Sequence, residues 1–85
     1  MVTAESIKRS IEAGIACDHV EVAGDGQHFQ ALIVSAAFEG LMKVRQHQLV
    51  YRALGDRMRE EIHALSMQTL TPAQWAERGG AESPQ

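Results

Sequence analysis

The chain has 85 residues, of which 45% are apolar and 22% are charged, and its formal net charge is −3. This length allows one domain, because a core of this size already buries only about 60% of the surface that the unfolded chain exposes. The composition excludes an intrinsically disordered chain, no apolar run approaches the roughly 18 residues of a membrane span, and a net acidic molecule has no overall attraction to nucleic acid.

The lone cysteine, Cys17, rules out an intramolecular disulfide and a cysteine-rich metal site. The sequence also begins without a basic segment followed by an apolar run, which is the pattern of a secretion signal. The lone cysteine suits a reducing interior, and the missing signal predicts that the protein stays in the compartment where it is made. We expect a cytoplasmic protein, with an organelle matrix as the alternative. Because small apolar residues usually pack between a helix and a strand, we expect a packing role for Cys17.

The first predicted element is a helix near the N-terminus. Thr3 is a suitable N-cap, and Ile7, Ile11 and Ile15 recur every four residues. This spacing places the three isoleucines in one stripe along the helix. We therefore expect the stripe to face the core.

A β-hairpin is predicted next. Residues 19–23 alternate with a period of two and end at the glycine-rich turn 24–26, and a second strand follows from Phe29 to Ser35. His28 is therefore expected where the turn meets the second strand. His19 opens the first strand, and we assign it a structural role.

The middle of the chain is predicted to be helical. A helix from Leu41 to Leu54 is followed by a break at Gly55 and a shorter helix that ends at Glu61. Five apolar side chains are expected to form much of the inward face of this region. They are Leu41, Val44, Tyr51, Leu54 and Met58.

A third strand is predicted from Ile62 to Leu70, and it is followed by a strong helix-start pattern. Thr71 is a capping residue, Pro72 occupies the first helical position, and Gln74 lies at the position that completes a capping box. Trp75 is expected to anchor this last helix to the core. We assign residues 1–78 to a single domain and residues 79–85, which are small, polar and aperiodic, to a flexible tail.

A basic segment spans residues 43–59, where five cations accompany one acid, whereas acids dominate elsewhere. Its cations are Lys43, Arg45, Arg52, Arg57 and Arg59, and His47 lies among them. A solvated face or a docking patch for an acidic partner explains this segment best, and weak, salt-sensitive nucleic-acid contact ranks second. A KH module clamps nucleotides with a Gly-x-x-Gly loop between two helices, whereas the junction at residues 54–58 has one glycine and an acid.

Four separate motifs, in this order along the chain, resemble the BolA-like family. They are the turn at residues 24–29, the linking segment at 38–51, the Ile-His-Ala-Leu motif at 62–65 and the helix start at 71–75. Histidine in the first turn is most similar to the IbaG-type branch. The predicted element order, α-β-β-α-α-β-α, already gives an α+β domain with helices packed on one face of a small three-stranded sheet. The resemblance implies the BolA-like variant of the type II KH fold.

His63 and His28 are the candidate metal ligands. From the residues alone, a hydrogen-bonded histidine at a sheet edge and a solvated turn histidine are the commoner roles, although a neutral imidazole at either position could ligate a metal. In similar proteins the histidine of the Ile-His-Ala-Leu motif ligates a shared two-iron two-sulfur cluster, and the first turn supplies a cysteine or histidine. The resemblance therefore implies His63 as a ligand and His28 as a second one.

The resemblance also implies a partner. Iron–sulfur clusters normally need four ligands that are mostly cysteine, so two histidines would share the cluster with a protein that brings sulfur. In the family this protein is a monothiol glutaredoxin, which contributes its active-site cysteine and a bound glutathione thiolate.

The alternative function that the resemblance allows is nucleic-acid binding by a transcriptional regulator, because some relatives are described in that way. Gln46 stands where relatives often carry a basic residue, a departure that lowers the charge of the basic segment. An enzyme is the least favoured class, because no serine or cysteine nucleophile lies in a motif that pairs with His63, and the glycine-rich turn is too short to hold a dinucleotide.

Overall fold

In a computed structural model of the protein, the residues described are 3–25, 27–55 and 64–78. They form three helices, one short 3-10 helix and three strands. In chain order these are α1 (Ala4–Gly14), β1 (His19–Gly24), β2 (His28–Val34), the 3-10 helix (Ala36–Phe38), α2 (Lys43–Leu54), β3 (Ala64–Leu70) and α3 (Pro72–Glu77). The shorter helix expected to end at Glu61 and the expected tail at 79–85 lie outside the described residues.

Helix α1 begins at a reciprocal cap. The Thr3 hydroxyl accepts a hydrogen bond of 3.1 Å from the backbone N–H of Ser6, and the Ser6 hydroxyl accepts one of 3.1 Å from the backbone N–H of Thr3. Two donors that a helix start leaves unpaired are thereby satisfied. Ile7, Ile11 and Ile15 are all buried, so the predicted N-cap and the predicted core stripe are both confirmed.

The three strands form a mixed sheet in the order β1-β2-β3. Strands β1 and β2 are antiparallel, with Gly24 opposite Phe29 at the turn, as the predicted hairpin requires. Strands β2 and β3 are parallel, with His28 opposite Ala64 and Val34 opposite Leu70. Because parallel neighbours need a crossover connection, α2 runs between them across one face of the sheet.

The core lies between this face and helices α1 and α2. Phe29, Ala31 and Ile33 alternate along β2 and are buried, while the intervening Gln30 is exposed. They pack in one cluster with buried residues of the helices, among them Ile7, Ile11, Val50 and Leu54. The expected α+β fold is confirmed, and none of the described helices is long and apolar enough to cross a membrane.

The orientation of α2 differs from the sequence prediction. Val44 is 60% exposed, Tyr51 is 42% exposed and Leu41 is 36% exposed, whereas Leu54 is buried as expected. The residues of α2 that are buried are Gln46, Val50 and Leu54. The predicted inward face is therefore wrong at three of its five positions, and Met58 lies outside the described residues.

Gln46 explains this orientation, because its buried amide is fully hydrogen-bonded. Its Nε2 donates to the carbonyl oxygens of Phe38 at 3.1 Å and Leu41 at 2.9 Å, and its Oε1 accepts from the Thr69 hydroxyl at 2.6 Å. A buried amide is tolerated when its partners are present. Gln46 is thus an interior residue of α2 rather than part of its exposed face.

Helix α3 starts at the predicted cap and contacts β1 through aromatic stacking. Thr71 and Gln74 form the capping box, with Pro72 at the start of the helix. The rings of Trp75 and His19 stack with centroids 4.8 Å apart, which supports the structural role assigned to His19. Trp75 therefore attaches α3 to the sheet through His19 rather than through the main core cluster.

Candidate functional site

His28 is the first residue of β2 and is exposed at the rim of the sheet. The turn before it is fixed by Asp25, whose Oδ1 accepts hydrogen bonds from the backbone N–H groups of Gln27 at 3.0 Å and His28 at 2.9 Å. The Asp25 N–H in turn donates to the His28 carbonyl oxygen at 3.2 Å. Both the N–H and the carbonyl oxygen of His28 are therefore hydrogen-bonded to Asp25, which holds in place the backbone that carries the imidazole.

The hydrogen bonds from the backbone of His28 and Gln27 also lower the pKa of the Asp25 carboxyl, because they stabilise its charged form. Asp25 is consequently a carboxylate at neutral pH and keeps both acceptor contacts. The sequence analysis did not single out Asp25. An Asp that precedes a backbone N–H by two or three residues in a glycine-rich turn is the local signal that would have identified it.

Gly24 brings this turn close to β2. A Cβ atom at this position would lie 2.4 Å from Phe29 Cδ1 and 2.5 Å from the His28 carbonyl oxygen. Such distances are too short for any side chain, so glycine is needed where the hairpin closes. The glycine at position 24 therefore serves close packing beside His28.

An open depression of about 320 Å³ adjoins His28. It is lined by Ala23, Gly24, Asp25, His28 and Gln30. Ala23, His28 and Gln30 alternate with the strand residues that pack on α1 and α2, so they lie on the opposite face of the sheet and neither of these two helices covers them. A partner protein therefore has access to His28 from this side.

Strand β3 starts next to His28. Ala64 is the register partner of His28, and its N–H donates to the Gln27 carbonyl oxygen at 3.2 Å. His63 is joined covalently to Ala64 but lies outside the described residues. Its assignment as a metal ligand stays a prediction, and so does its proximity to His28.

The other two histidines, which were not expected to be metal ligands, lie elsewhere. His19 pairs with Val34 at the opposite end of β1 from the His28 turn, and its Nε2 lies 2.6 Å from Glu21 Oε2. His47 is half-buried on α2. Within the described ranges, no group of three or more His, Cys, Asp or Glu side chains could hold a metal ion.

Cys17 also lies at the far end of the sheet, two residues before β1. Its thiol donates to the Ile15 carbonyl oxygen at 3.3 Å and packs against the core cluster, in agreement with the expected packing role. Burial, together with the nearby charges of Glu12 and Asp18, raises its pKa to about 11. Cys17 is therefore a protonated thiol at neutral pH rather than a metal-binding thiolate.

The described cations of the basic segment have two different environments. Lys43 donates to the backbone carbonyl oxygen of Thr69, so it helps to join α2 to β3. Arg45 and Arg52 are exposed, and neither forms a salt bridge with a carboxylate among the residues described. Arg57 and Arg59 lie outside the described residues, so the complete basic segment stays a sequence prediction.

Comparison with known protein families gives a match over residues 2–74 to the model described as BolA-like protein. Mouse BolA-like protein 1 is 42% identical over 59 residues, which are 69% of this chain and 43% of that protein. The chain therefore spans less than half the length of this relative. The acid stress protein IbaG of Escherichia coli K12 is 40% identical over 63 residues, which are 73% of this chain and 75% of that protein.

Comparison with solved structures gives the same grouping. The structure of a bolA protein homologue from Coxiella burnetii is similar, with a TM-score of 0.81 and 44% sequence identity. The match covers 89% of this chain and 99% of that one. The mixed three-stranded sheet and its helices are therefore an arrangement that this solved structure shares.

Proposed function

The chain belongs to the BolA-like protein family, and we propose that it is a non-enzymatic partner of a monothiol glutaredoxin that co-ligates a bridging two-iron two-sulfur cluster. The glutaredoxin contributes its active-site cysteine and a bound glutathione thiolate. This chain contributes imidazole nitrogens from His63 and His28. The assembly serves iron–sulfur cluster trafficking or iron homeostasis, with apoproteins as cluster acceptors.

The observation that carries this proposal is the position of His28. Its imidazole is exposed beside an open depression, while its backbone is fixed by the Asp25 carboxylate. Ala64, which follows His63 in the sequence, pairs directly with His28. A rigid backbone with an accessible imidazole suits a ligand that must meet a metal held by another protein.

The available sulfur donors fit a shared site. Cys17 is protonated at neutral pH and lies at the far end of β1 from His28. A cluster bound here would therefore take its thiolate ligands from the partner, while this chain needs to supply only imidazole. Neutral imidazoles in place of thiolates reduce the negative charge at iron, so the shared cluster should have a higher reduction potential than one held by thiolates alone.

His28, His63 and Asp25 have separate roles in the proposed assembly. His28 and His63 offer neutral nitrogens, which requires both imidazoles to be unprotonated. Asp25 fixes the backbone of His28 before the partner binds, which reduces the ordering cost of ligation. The cluster, when bound, supplies the iron and sulfide that the assembly transfers.

Titration of this protein into a cluster-loaded monothiol glutaredoxin tests the proposal by visible circular dichroism. The wild-type protein should produce a new spectrum, and His63→Ala should abolish it. His28→Ala should weaken the change or alter its shape. The matched control is His47→Ala, which removes a histidine from α2 and should behave as wild type. An unchanged spectrum with the wild-type protein, and no complex on size-exclusion chromatography, would sink the proposal.

Nucleic-acid binding is the second candidate function. The observation in its favour is the exposure of Arg45 and Arg52 on α2 without a carboxylate partner among the residues described. Weak binding through phosphates would fall steeply with salt. Fluorescence anisotropy with a labelled DNA duplex tests it, since Arg45→Glu with Arg52→Glu should abolish binding while the glutaredoxin spectrum is unchanged. Equal binding by this variant would exclude these two arginines as DNA contacts.

A further inference from the structure

Helix α2 and the residues just before it carry a group of exposed large apolar side chains. Across the described ranges, all large hydrophobic residues that are exposed lie between positions 41 and 51. They are Leu41, Met42, Val44 and Tyr51, and Met42 is 75% exposed. A group of exposed apolar residues on one element of a small domain is a feature of interaction surfaces.

Four exposed positions on this surface follow a coiled-coil spacing. Leu41, Val44, Gln48 and Tyr51 are separated by three, four and three residues, which is the spacing of the two core positions of a heptad. We call these four residues the docking seam. Val44, Gln48 and Tyr51 lie on one face of α2, whereas Leu41 precedes the extended N-cap residue Met42 and borders this face without occupying a helical position. A single polar residue such as Gln48 is a known feature of helix pairing seams, where it restricts the alignment of the partner.

Two cations flank the docking seam at regular positions. Arg45 and Arg52 each follow a seam residue by one position, which is where charged residues of a heptad contact the flanks of a partner helix. No acidic residue occurs between positions 41 and 55. The flank of the seam is thus purely cationic, and a partner of opposite charge would complement it.

We propose that the docking seam binds an acidic amphipathic helix of a partner protein. Apolar side chains of that helix would pack on Val44 and Tyr51, and its glutamate or aspartate side chains would pair with Arg45 and Arg52. Phosphate groups of a nucleic acid would use the two arginines but leave the apolar side chains without contacts, so the composition of the surface favours a protein. This inference does not depend on His28, His63 or the cluster.

The seam is short, so the interaction should be weak and salt-sensitive. The contact covers about two turns of helix, roughly 10 Å, and the two arginines are exposed to solvent and therefore screened by salt. Binding of this type suits a reversible contact rather than a permanent complex.

A designed peptide provides the first test. Its sequence is three heptads with leucine at both core positions and glutamate at both flanking positions, so that charge repulsion disfavours self-association at neutral pH. In a titration followed by amide chemical shifts, Val44, Gln48 and Tyr51 should shift with this peptide. A peptide with lysine in place of every glutamate should bind about fivefold more weakly or not at all.

Charge exchange provides the second test. Arg45→Glu with Arg52→Glu should reverse the preference, so that the lysine peptide becomes the better ligand. Arg9→Glu is the matched control, because Arg9 is an exposed cation on α1 and its reversal should leave the preference unchanged. Val44→Ser should weaken binding of the acidic peptide while the dispersed amide spectrum shows that the domain is folded.

Two results would overturn the inference. One is the absence of shifts at the docking seam with the acidic peptide up to its solubility limit. The other concerns a DNA duplex that shifts the amide signals of the same residues. It would bind wild type and Val44→Ser equally well, but would not bind the variant with Arg45→Glu and Arg52→Glu. That second pattern would assign the surface to nucleic acid instead.

Discussion

The hydroxyl of Thr69 donates a 2.6 Å hydrogen bond to the side-chain carbonyl of Gln46, and this bond joins β3 to α2 inside the protein. Thr69 is fully buried, and Gln46 is 4% exposed. Thr69→Val should destabilise the fold by about 1–3 kcal/mol, because Gln46 Oε1 would be left buried without a donor. Urea denaturation measures this loss. Ser66→Ala, which removes a hydroxyl at an exposed position of β3, should alter stability by less than about 0.5 kcal/mol, and equal effects of the two variants would contradict the prediction.

Close contact between α1 and α2 depends on Gly14. A Cβ atom at this position would lie 2.6 Å from Ala53 Cβ. Gly14→Ala should therefore destabilise the domain by about 1–3 kcal/mol, despite the better helix propensity of alanine. Adding Ala53→Gly should recover part of the loss by removing the clashing atom. A thermal-unfolding double-mutant cycle measures the coupling, and strictly additive effects would show that the two positions do not touch.

Asp25 should control the order of the turn that carries His28. Asp25→Ala removes the acceptor for two backbone N–H groups, so amide exchange at Gln27 and His28 should accelerate by about fivefold to tenfold. Asp25→Asn keeps an acceptor oxygen and should exchange at a rate closer to that of wild type. Hydrogen exchange followed by nuclear magnetic resonance measures both variants without the glutaredoxin, so the result is independent of the proposed function. Unchanged rates in Asp25→Ala would contradict a fixed turn.

Acid should dissociate the proposed cluster assembly. Histidine protonates between about pH 5 and pH 7, and a protonated imidazole cannot ligate a metal. The visible circular dichroism of the heterodimer should therefore be lost as the pH falls toward about 5.5, while the cluster is released or returns to glutaredoxin homodimers. The glutaredoxin homodimer, which carries thiolate ligands only, is the control. A heterodimer spectrum that stays constant over this range would argue against histidine ligation.

Cys17 should react slowly with alkylating reagents in the folded protein. Its pKa is raised to about 11 from the usual 9.0, so at pH 8 the folded state contains roughly a hundredfold less thiolate than the unfolded chain. Iodoacetamide labelling followed by mass spectrometry should therefore be slow in buffer and fast in concentrated urea. The same shift means that Cys17 reduces folding stability as the pH rises above 9.0 toward 11, because ionisation favours the unfolded chain. Rapid labelling of the folded protein at pH 8 would contradict a half-buried thiol with a raised pKa.

Elements that depend on neighbouring residues were predictable from the sequence. The N-cap at Thr3, the capping box at Thr71, the isoleucine stripe of α1 and the hairpin around Gly24 are set by spacings of a few residues, and each was confirmed. The strand that begins at His28 was misplaced by one residue, since it spans His28–Val34 rather than 29–35. Local patterns locate an element more reliably than its ends.

The orientation of α2 could not be predicted in this way. Periodicity placed Val44 and Tyr51 inside because they are apolar, whereas the structure places Gln46 inside. The partners that make this acceptable are Thr69, far along the chain, and the carbonyl oxygens of the preceding loop. At the candidate site, the histidine in the turn was predictable from its motif, but the clamp by Asp25 became visible only with the backbone geometry.

The sheet combines an antiparallel pair, β1 with β2, and a parallel pair, β2 with β3, and this has a consequence for how the protein folds. Strands β1 and β2 are joined by a tight turn, so they can pair early, but the parallel pairing of His28 with Ala64 must close a much longer stretch of chain. Contacts between residues that are distant in sequence form slowly, because their loop entropy is lost before the contacts stabilise the structure. The rim that carries His28 is therefore completed late. A chain still emerging from the ribosome presents only one side of this rim until residues 64–70 have been released.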